Sequence, residues 1–336
     1  MKSRNISLVI PVRNDQKLLN FLLYKILEQI SKPFEVVIVD STESPFEIEK
    51  KTKQSFVCAG INLIYIHSKP LNPGAARNLG VQRSSCELIA FLDVKTTPPA
   101  NWLEDALLQI TTANCMGVLG KTSYFARSHF EKRVRAATYG VKPIVTLPGS
   151  LFRRDVFTIV GSFLSNTIAG EDADWILRAR LHGLLLSTNS QTCLTYTGLV
   201  GIKYSELIKK WWRNYRACRD IPYLADHRSI YLLTINLIII FIAMNWNGVF
   251  ANWNEASNLY ISHVTKIGVG LITILYIVYR GIYLPSRRGT SLGYLFPLEW
   301  VMVTFIGLTI DVVKLLAFFP YPFALGKRLR YAFFRE

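Results

Sequence analysis

Ser7-Leu-Val-Ile-Pro-Val-Arg-Asn14 opens the regular part of the chain, and the alternation that starts with it decides the fold. Ser7-Leu-Val-Ile10 is a short run of apolar residues closed by Pro11, which reads as a strand, and Asp15 to Ile30 then carries apolar residues at helical spacing. The pattern recurs. Glu35-Val-Val-Ile-Val-Asp40, Asn62-Leu-Ile-Tyr-Ile66 and Glu87-Leu-Ile-Ala-Phe-Leu92 read as strands, with Pro45 to Phe56 and Gly74 to Gln82 as the helices between them. Such an order predicts an α/β domain with a mostly parallel sheet covered on both faces. Ligands of these sheets bind outside the carboxyl ends of the strands, where Pro11-Val-Arg-Asn14, Asp40-Ser-Thr-Glu43 and Asp93-Val-Lys95 fall.

The 336 residues exceed one ordinary domain, and their composition is split. From Met1 to about Arg228 the chain is mixed, and beyond it long apolar runs lift the hydrophobic share to 50%. Met-Lys-Ser-Arg-Asn leads directly into the first strand without the apolar core of a cleavable signal, so the N-terminal domain is expected to stay in the cytoplasm. A formal charge of +16 suits a nucleic-acid binder or a protein held against anionic lipid. The apolar segments favour lipid, and a nucleic-acid role leaves them unexplained. Cys58, Cys86, Cys115, Cys193 and Cys218 are scattered without zinc-site spacing or disulfide density, and are read as reduced and mostly buried.

Ala169-Gly-Glu-Asp-Ala-Asp-Trp175 is the foremost candidate for chemistry. It places Glu171, Asp172 and Asp174 at the start of an apparent helix running to His182. The blander reading is that the three carboxylates only complement the positive end of the helix dipole.

Ser7 to Asn14, Val37-Ile-Val-Asp40, Pro73-Gly-Ala-Ala-Arg-Asn-Leu-Gly80, Phe91-Leu-Asp93 through Trp102, Gly149-Ser-Leu-Phe-Arg-Arg154 and Gly170-Glu-Asp172 occur in the order typical of glycosyltransferase family 2. Each piece alone is weak. The ordered set, across roughly residues 5 to 220, carries the resemblance. It implies a Rossmann-like GT-A fold, a nucleotide-diphosphate sugar donor, expected to be a UDP-sugar, and inversion at the anomeric carbon. Carried over, Pro11 and Arg13 border the nucleotide pocket and Asp40 contacts the base, unless it simply caps a turn. Arg77 and Asn78 close over the nucleotide, or lie on a solvated helix face. Gly149 and Ser150 make a tight approach to sugar or acceptor, or a plain turn before a helix at Arg154. Asp172 is the general base that takes the proton of the attacking hydroxyl. Glu171 orients the acceptor, with Asp174 and Trp175 beside it.

Two departures stand out. The family's Asp-x-Asp, whose last Asp helps hold a divalent ion, is here Asp93-Val94-Lys95, and a His that can complete the metal shell is replaced in Leu194-Thr-Tyr-Thr-Gly198 by Thr197. Asp93 is the metal candidate that is left. The expectation is weakened Mg or Mn binding, with Lys95, joined by Arg77, neutralising the departing diphosphate; alternatively Lys95 points to solvent and Asp93 still holds metal through water.

The resemblance divides the chain into a catalytic domain over 1–202, a basic and aromatic interfacial helix over 203–228 and a membrane region over 229–336. Lys209, Lys210, Arg213, Arg216 and Arg219 interleave with Trp211, Trp212 and Tyr215, as suits the cytoplasmic leaflet. The Gln-x-x-Arg-Trp pattern of processive synthases is missing, which favours single addition. Apolar stretches of about 229–246 and 266–284 read as a hairpin with both ends inside, from the placement of Lys and Arg. A third, about 297–319, contains Asp311 and Lys314, read as a pair that limits the cost of burial. Because Lys327, Arg328, Arg330 and Arg335 come after it, it is read as a non-crossing helix. An integral protein of the cell inner membrane, catalytic domain in the cytoplasm, suggests a lipid-linked or glycan acceptor. Arg127 to Lys142 reads equally as a mobile loop over that acceptor or as a solvated connection. A reading of another class is a membrane-tethered nucleotide-sugar-binding or scaffold protein with weakened catalysis. No residue names the sugar or the oligomeric state.

Overall fold

The computed structural model describes residues 5–219, 221 and 228–318. The chain divides into two compact units, one of residues 1–135, 141–203 and 220–224 and one of 136–140, 204–219 and 225–336. The basic tail at Lys327, Arg328, Arg330 and Arg335 lies outside the described residues.

The first unit runs β1 (Ile6–Val12), α1 (Gln16–Leu27), β2 (Glu35–Asp40), α2 (Lys50–Cys58), β3 (Asn62–His67), α3 (Pro73–Arg83) and β4 (Leu88–Phe91). It continues through β5 (Thr96–Thr97), α4 (Trp102–Thr112), β6 (Gly117–Tyr124), α5 (His129–Ala137, whose last two residues belong to the second unit), β7 (Ile144–Arg153), α6 (Asp155–Val160), α7 (Glu171–Leu181), β8 (Leu186–Thr188) and β9 (Leu194–Tyr196). One sheet holds them in the order β3-β2-β1-β4-β7-β6-β9-β5, with β8 also on β6. The α/β expectation is met: β3, β2, β1 and β4 are parallel. Beyond β4 the sheet is mixed, β7 running antiparallel to both β4 and β6.

Burial explains why these strands form. Every residue of β2 is buried, and Val36-Val-Ile-Val39 is the continuous apolar run of a strand covered on both faces. One side of the sheet packs Leu8, Ile10, Leu22, Leu23, Ile26 and Trp102, and the other packs Val9, Val37, Val39, Phe91, Phe152 and Trp175. Helix α3 lies close on β1 because Gly80 has no side chain; a Cβ there would stand 2.3 Å from Val9 Cγ1.

Two local expectations change. The stretch Arg127 to Lys142 is helical over His129–Ala137. Its start is a reciprocal cap, in which Ser128 Oγ accepts from the Glu131 amide and Glu131 Oε2 accepts from the amides of Arg127 and Ser128. Of the free cysteines, Cys86 and Cys115 are buried and Cys58 is exposed.

The second unit contains α8 (Tyr204–Arg219), α9 (Arg228–Phe250), α10 (Val264–Val278), a π-helical turn Tyr279–Tyr283, α11 (Leu284–Arg287), α12 (Leu292–Leu295) and α13 (Glu299–Phe318). Val264–Arg287 is one run of 24 residues and Glu299–Ala317 one of 19, both long and apolar enough to cross a membrane. Asp311 does not take Lys314 as its ionic partner. It pairs with Arg280, Nε to Oδ2 at 2.8 Å, and accepts from the Tyr276 hydroxyl at 2.9 Å, while Lys314 Nζ sits 4.8 Å from the Trp211 ring centroid. The i,i+3 spacing that suggested the pair loses to a neighbouring helix that brings a guanidinium alongside, which can engage both carboxylate oxygens.

Candidate functional site

The end of β4 and the first turn of α7 bring Asp93, Glu171 and Asp172 around one buried cation. Arg77, from the middle of α3, is 4% exposed. Its Nη1 donates to Glu171 Oε1 at 2.5 Å and its Nη2 to Asp93 Oδ1 at 3.0 Å, and the guanidinium carbon lies 5.9 Å from the centroid of Phe163. Helix α3 reaches this close because Gly74 has no side chain; a Cβ would stand 2.1 Å from the Leu164 carbonyl oxygen and 3.2 Å from Glu171 Cγ. Burial works against the charge on Arg77, but Asp93, Glu171 and Asp172 outweigh it and raise its pKa, so it stays protonated. Burial pushes the Glu171 carboxyl up, with Arg77 opposing and Asp172 adding to the rise.

Asp172 is half-buried, and its Oδ1 accepts from the amide of Ala173 at 2.8 Å. Gly170, at φ 85°, turns the chain into α7 so that Glu171 points inward while Asp172 keeps access to solvent. Its charge acts on Arg77, and part of its side chain stays in solvent.

Several expected contacts are structural in this fold. Asp40 is fully buried; its carboxylate accepts from the Thr42 amide at 2.9 Å, the Phe46 amide at 3.2 Å and the Tyr65 hydroxyl at 2.5 Å. That is the turn-capping alternative. Burial would raise its pKa, but these hydrogen bonds overcome it and hold the carboxyl below its usual value, while Tyr65 is pushed up by burial and by Asp40. Asn78 clamps a loop rather than lying on a solvated face: Nδ2 donates to the Phe163 carbonyl and Oδ1 accepts from the Phe163 amide, both at 2.9 Å. Arg77 likewise is enclosed by carboxylates, and Glu171 is buried beside it.

Asp174 and Trp175 are held within the fold. Asp174 is buried on Arg178 at 2.8 Å, and Trp175 is fully buried, donating to the Gly161 carbonyl and stacking on Phe157 and Phe163. Gly149 and Ser150 do not form a turn before a helix. They lie inside β7 at a bulge against β6, where Gly149 has φ 87° and Ser150 Oγ accepts from the Gly120 amide at 2.8 Å. Pro11 is in β1 and half-buried, and Arg13 is exposed just past its end.

Lys95 stands at the tip of the turn after β4, 42% exposed, with Nζ 3.4 Å from Asp15 Oδ2. Thr197 meets it from β9's end: both its amide, at 2.9 Å, and its hydroxyl, at 3.2 Å, donate to the Lys95 carbonyl. The two positions that depart from the family pattern are therefore in contact. Among the described residues, no group of three or more His, Cys, Asp or Glu side chains gathers to hold a metal ion. The donor set at Asp93 is one carboxylate already engaged by Arg77, an ammonium and a hydroxyl, which does not fit a divalent cation. Sequence reasoning missed Asp15, Tyr65, Phe163 and Ser165. Of these only Asp15 carried a local signal, an Asp directly before a helix.

Glycosyl transferase family 2 matches residues 7–163, which include Arg77, Asp93 and Lys95 and end before Glu171. The glycosyltransferase AglE of Haloferax volcanii is 27% identical over 228 residues, 62% of this chain and 71% of that one. The pre-mycofactocin glycosyltransferase of Mycobacterium tuberculosis is 34% identical over 104 residues, 31% of this chain and 20% of that one. Among solved structures, the mannosyltransferase PcManGT of Pyrobaculum calidifontis has a similar fold, with a TM-score of 0.51 at 13% identity over 94% of this chain and 86% of that one. With the GT-A fold in place, residues 7–163 match glycosyl transferase family 2, and the protein is a glycosyltransferase.

Proposed function

We propose that this protein transfers a sugar from a nucleotide-diphosphate donor, a UDP-sugar, to a lipid-linked acceptor at a membrane surface, with inversion. The observation that carries the reading is the division of labour around Arg77: Asp93 and Glu171 are tied to it by ion pairs, and Asp172 is half-buried with no ion pair to it.

Asp172 takes the proton from the acceptor hydroxyl as that oxygen attacks the anomeric carbon. The bond from the anomeric carbon to the diphosphate oxygen breaks with its electron pair, and single displacement from the opposite face inverts the centre. Arg77 and Glu171 fix the base, while Lys95 offsets charge on the leaving diphosphate. Arg13, exposed beyond β1, borders the nucleotide, and Asp40 acts by holding the Thr42 to Phe46 turn beside it. The catalytic unit faces the cytoplasm of the cell inner membrane, α8 lies in the interface with its Lys, Arg and Trp residues, and the apolar helices anchor it. In support, the described parts of α9 and α10 expose Ile238, Phe241, Ile242, Ile267, Leu271 and Ile274.

The test uses the full chain in lipid nanodiscs with polyprenyl phosphate and a panel of UDP- and GDP-sugars, with product lipids identified by mass. Transfer that disappears in Asp172→Asn supports the reading. Donor binding without turnover on any acceptor favours a scaffold instead. Chelator is the second arm: activity lost completely and restored by manganese or magnesium refutes the role given to Lys95.

A further inference from the structure

Asp15 is the N-terminal cap residue of α1, yet its side chain makes no capping hydrogen bond to that helix. An Asp in this position ordinarily accepts from an amide of the first turn. Here its carboxylate turns instead to Lys95, at 3.4 Å, with the Asp15 side chain 30% exposed. The first turn of α1 also carries no acidic residue, so its positive end is not offset locally.

Everything else about Lys95 is fixed. Thr96 donates twice to the Asp93 carbonyl, Thr197 donates twice to the Lys95 carbonyl, and Thr96 and Thr97 pair with β9. The backbone is clamped on both sides and only the four-carbon stem can swing.

Resting on the function proposed above, we propose that Asp15 is an internal stand-in for the donor diphosphate. It holds Lys95 before donor binds and yields it when the diphosphate arrives, so that one ammonium exchanges a carboxylate for a phosphate. Asp15 is then a positioning residue that competes with the donor, and Lys95 is the group that meets it. Two features favour the exchange. A part-exposed ion pair at this distance is weak and salt-screened, and a nucleoside diphosphate brings more charge and more acceptor oxygens than one carboxylate. The released Asp15 can return to capping its own helix.

The probe is UDP, titrated by calorimetry into the full chain in nanodiscs, with uridine as the control. Asn caps a helix as well as Asp, so Asp15→Asn keeps the fold. Removing the competitor should tighten UDP about threefold, the scale of an exposed pair. Lys95→Met should weaken UDP about tenfold, the scale of one charged hydrogen bond. In the double variant the Asp15→Asn gain should vanish, because no ammonium remains to compete for. Uridine, lacking phosphate, should bind all forms alike. UDP affinity unchanged or weaker in Asp15→Asn overturns the inference, as does a gain that survives in the Lys95→Met background. If the unaltered chain binds no nucleoside diphosphate at all, the proposed function fails with it; binding of UDP that ignores Asp15 sinks the stand-in alone.

Discussion

Replacing Arg77 by Met tests the electrostatic centre of the site. The substitution nearly preserves the stem but deletes the charge, leaving Glu171, 4% exposed, without the guanidinium 2.5 Å away. Asp93 loses a second contact at 3.0 Å, although it is 32% exposed and water can replace part of that loss. Removing one member of a buried pair costs about 3 to 5 kcal/mol, most of it from the charge left behind. Against the roughly 5 to 15 kcal/mol that holds a domain together, this is severe. For a unit of this size it corresponds to a fall in Tm of about 6 to 20 °C.

The pH dependence identifies the cause. Burial already raises Glu171 above its ordinary 4.5, against the pull of Arg77. Without Arg77, only the upward pushes of burial and Asp172 remain. An acid whose folded pKa lies above its unfolded value destabilises the fold once it ionises, fully above the folded pKa and not at all below the unfolded one. The deficit of Arg77→Met should therefore be largest near neutral pH and shrink as pH falls toward 4.5. Thermal melts of the full chain, read by tryptophan fluorescence, measure this directly, and Arg77→Met with Glu171→Gln should recover most of the loss. A single variant that melts within about 2 °C of the unaltered protein at neutral pH, well under the shift expected from the buried pair, or a double variant no more stable than the single, refutes the reasoning.

Asp172→Asn should lower kcat by about 10² to 10⁴-fold with the melting curve unmoved, because Asp172 is half-buried and holds nothing of the core; initial rates and a melt on one preparation check both. Asn78→Ala removes both hydrogen bonds to Phe163 and one to Ser165 and should cost about 1 to 3 kcal/mol, read by denaturation, with hydrogen exchange rising first in residues 161–170. Tyr65→Phe removes a donor to Asp40, whose folded pKa lies below the ordinary 3.8. That carboxylate adds stability above pH 3.8 that is lost as acid protonates it, so the variant should be weaker by about 1.5 to 3 kcal/mol near neutrality and differ less in strong acid.

How much of this was legible depends on how local each signal is. Strands β1, β2 and β4 were readable because burial on both faces leaves an apolar run, and α7 because Gly170 and three acids mark its start. β6 and β7 were not. Gly117, Gly120, Pro148 and Gly149 punctuate them as turns would, yet each glycine is there for close packing: a Cβ on Gly120 would stand 2.2 Å from the Pro148 carbonyl oxygen, and one on Gly149 2.7 Å from Leu194. Gly and Pro mark a bulge and a turn alike from sequence, and only the partner strand decides which.

The same limit applied to the site. The sequence marked Arg77, Asp93, Glu171 and Asp172 but not which of them pair, because pairing depends on how distant elements face each other. Arg77 and Glu171 are 94 positions apart, and nothing in either neighbourhood says that they meet. Once they do, the cation expected to face the nucleotide is spent on carboxylates, and the cation that stands at the lip of β4 is one that the family pattern would have made an acid. On the function proposed above, a leaving diphosphate needs positive charge, Arg77 is committed to Glu171 and Asp93, and Lys95 is the cation that supplies it.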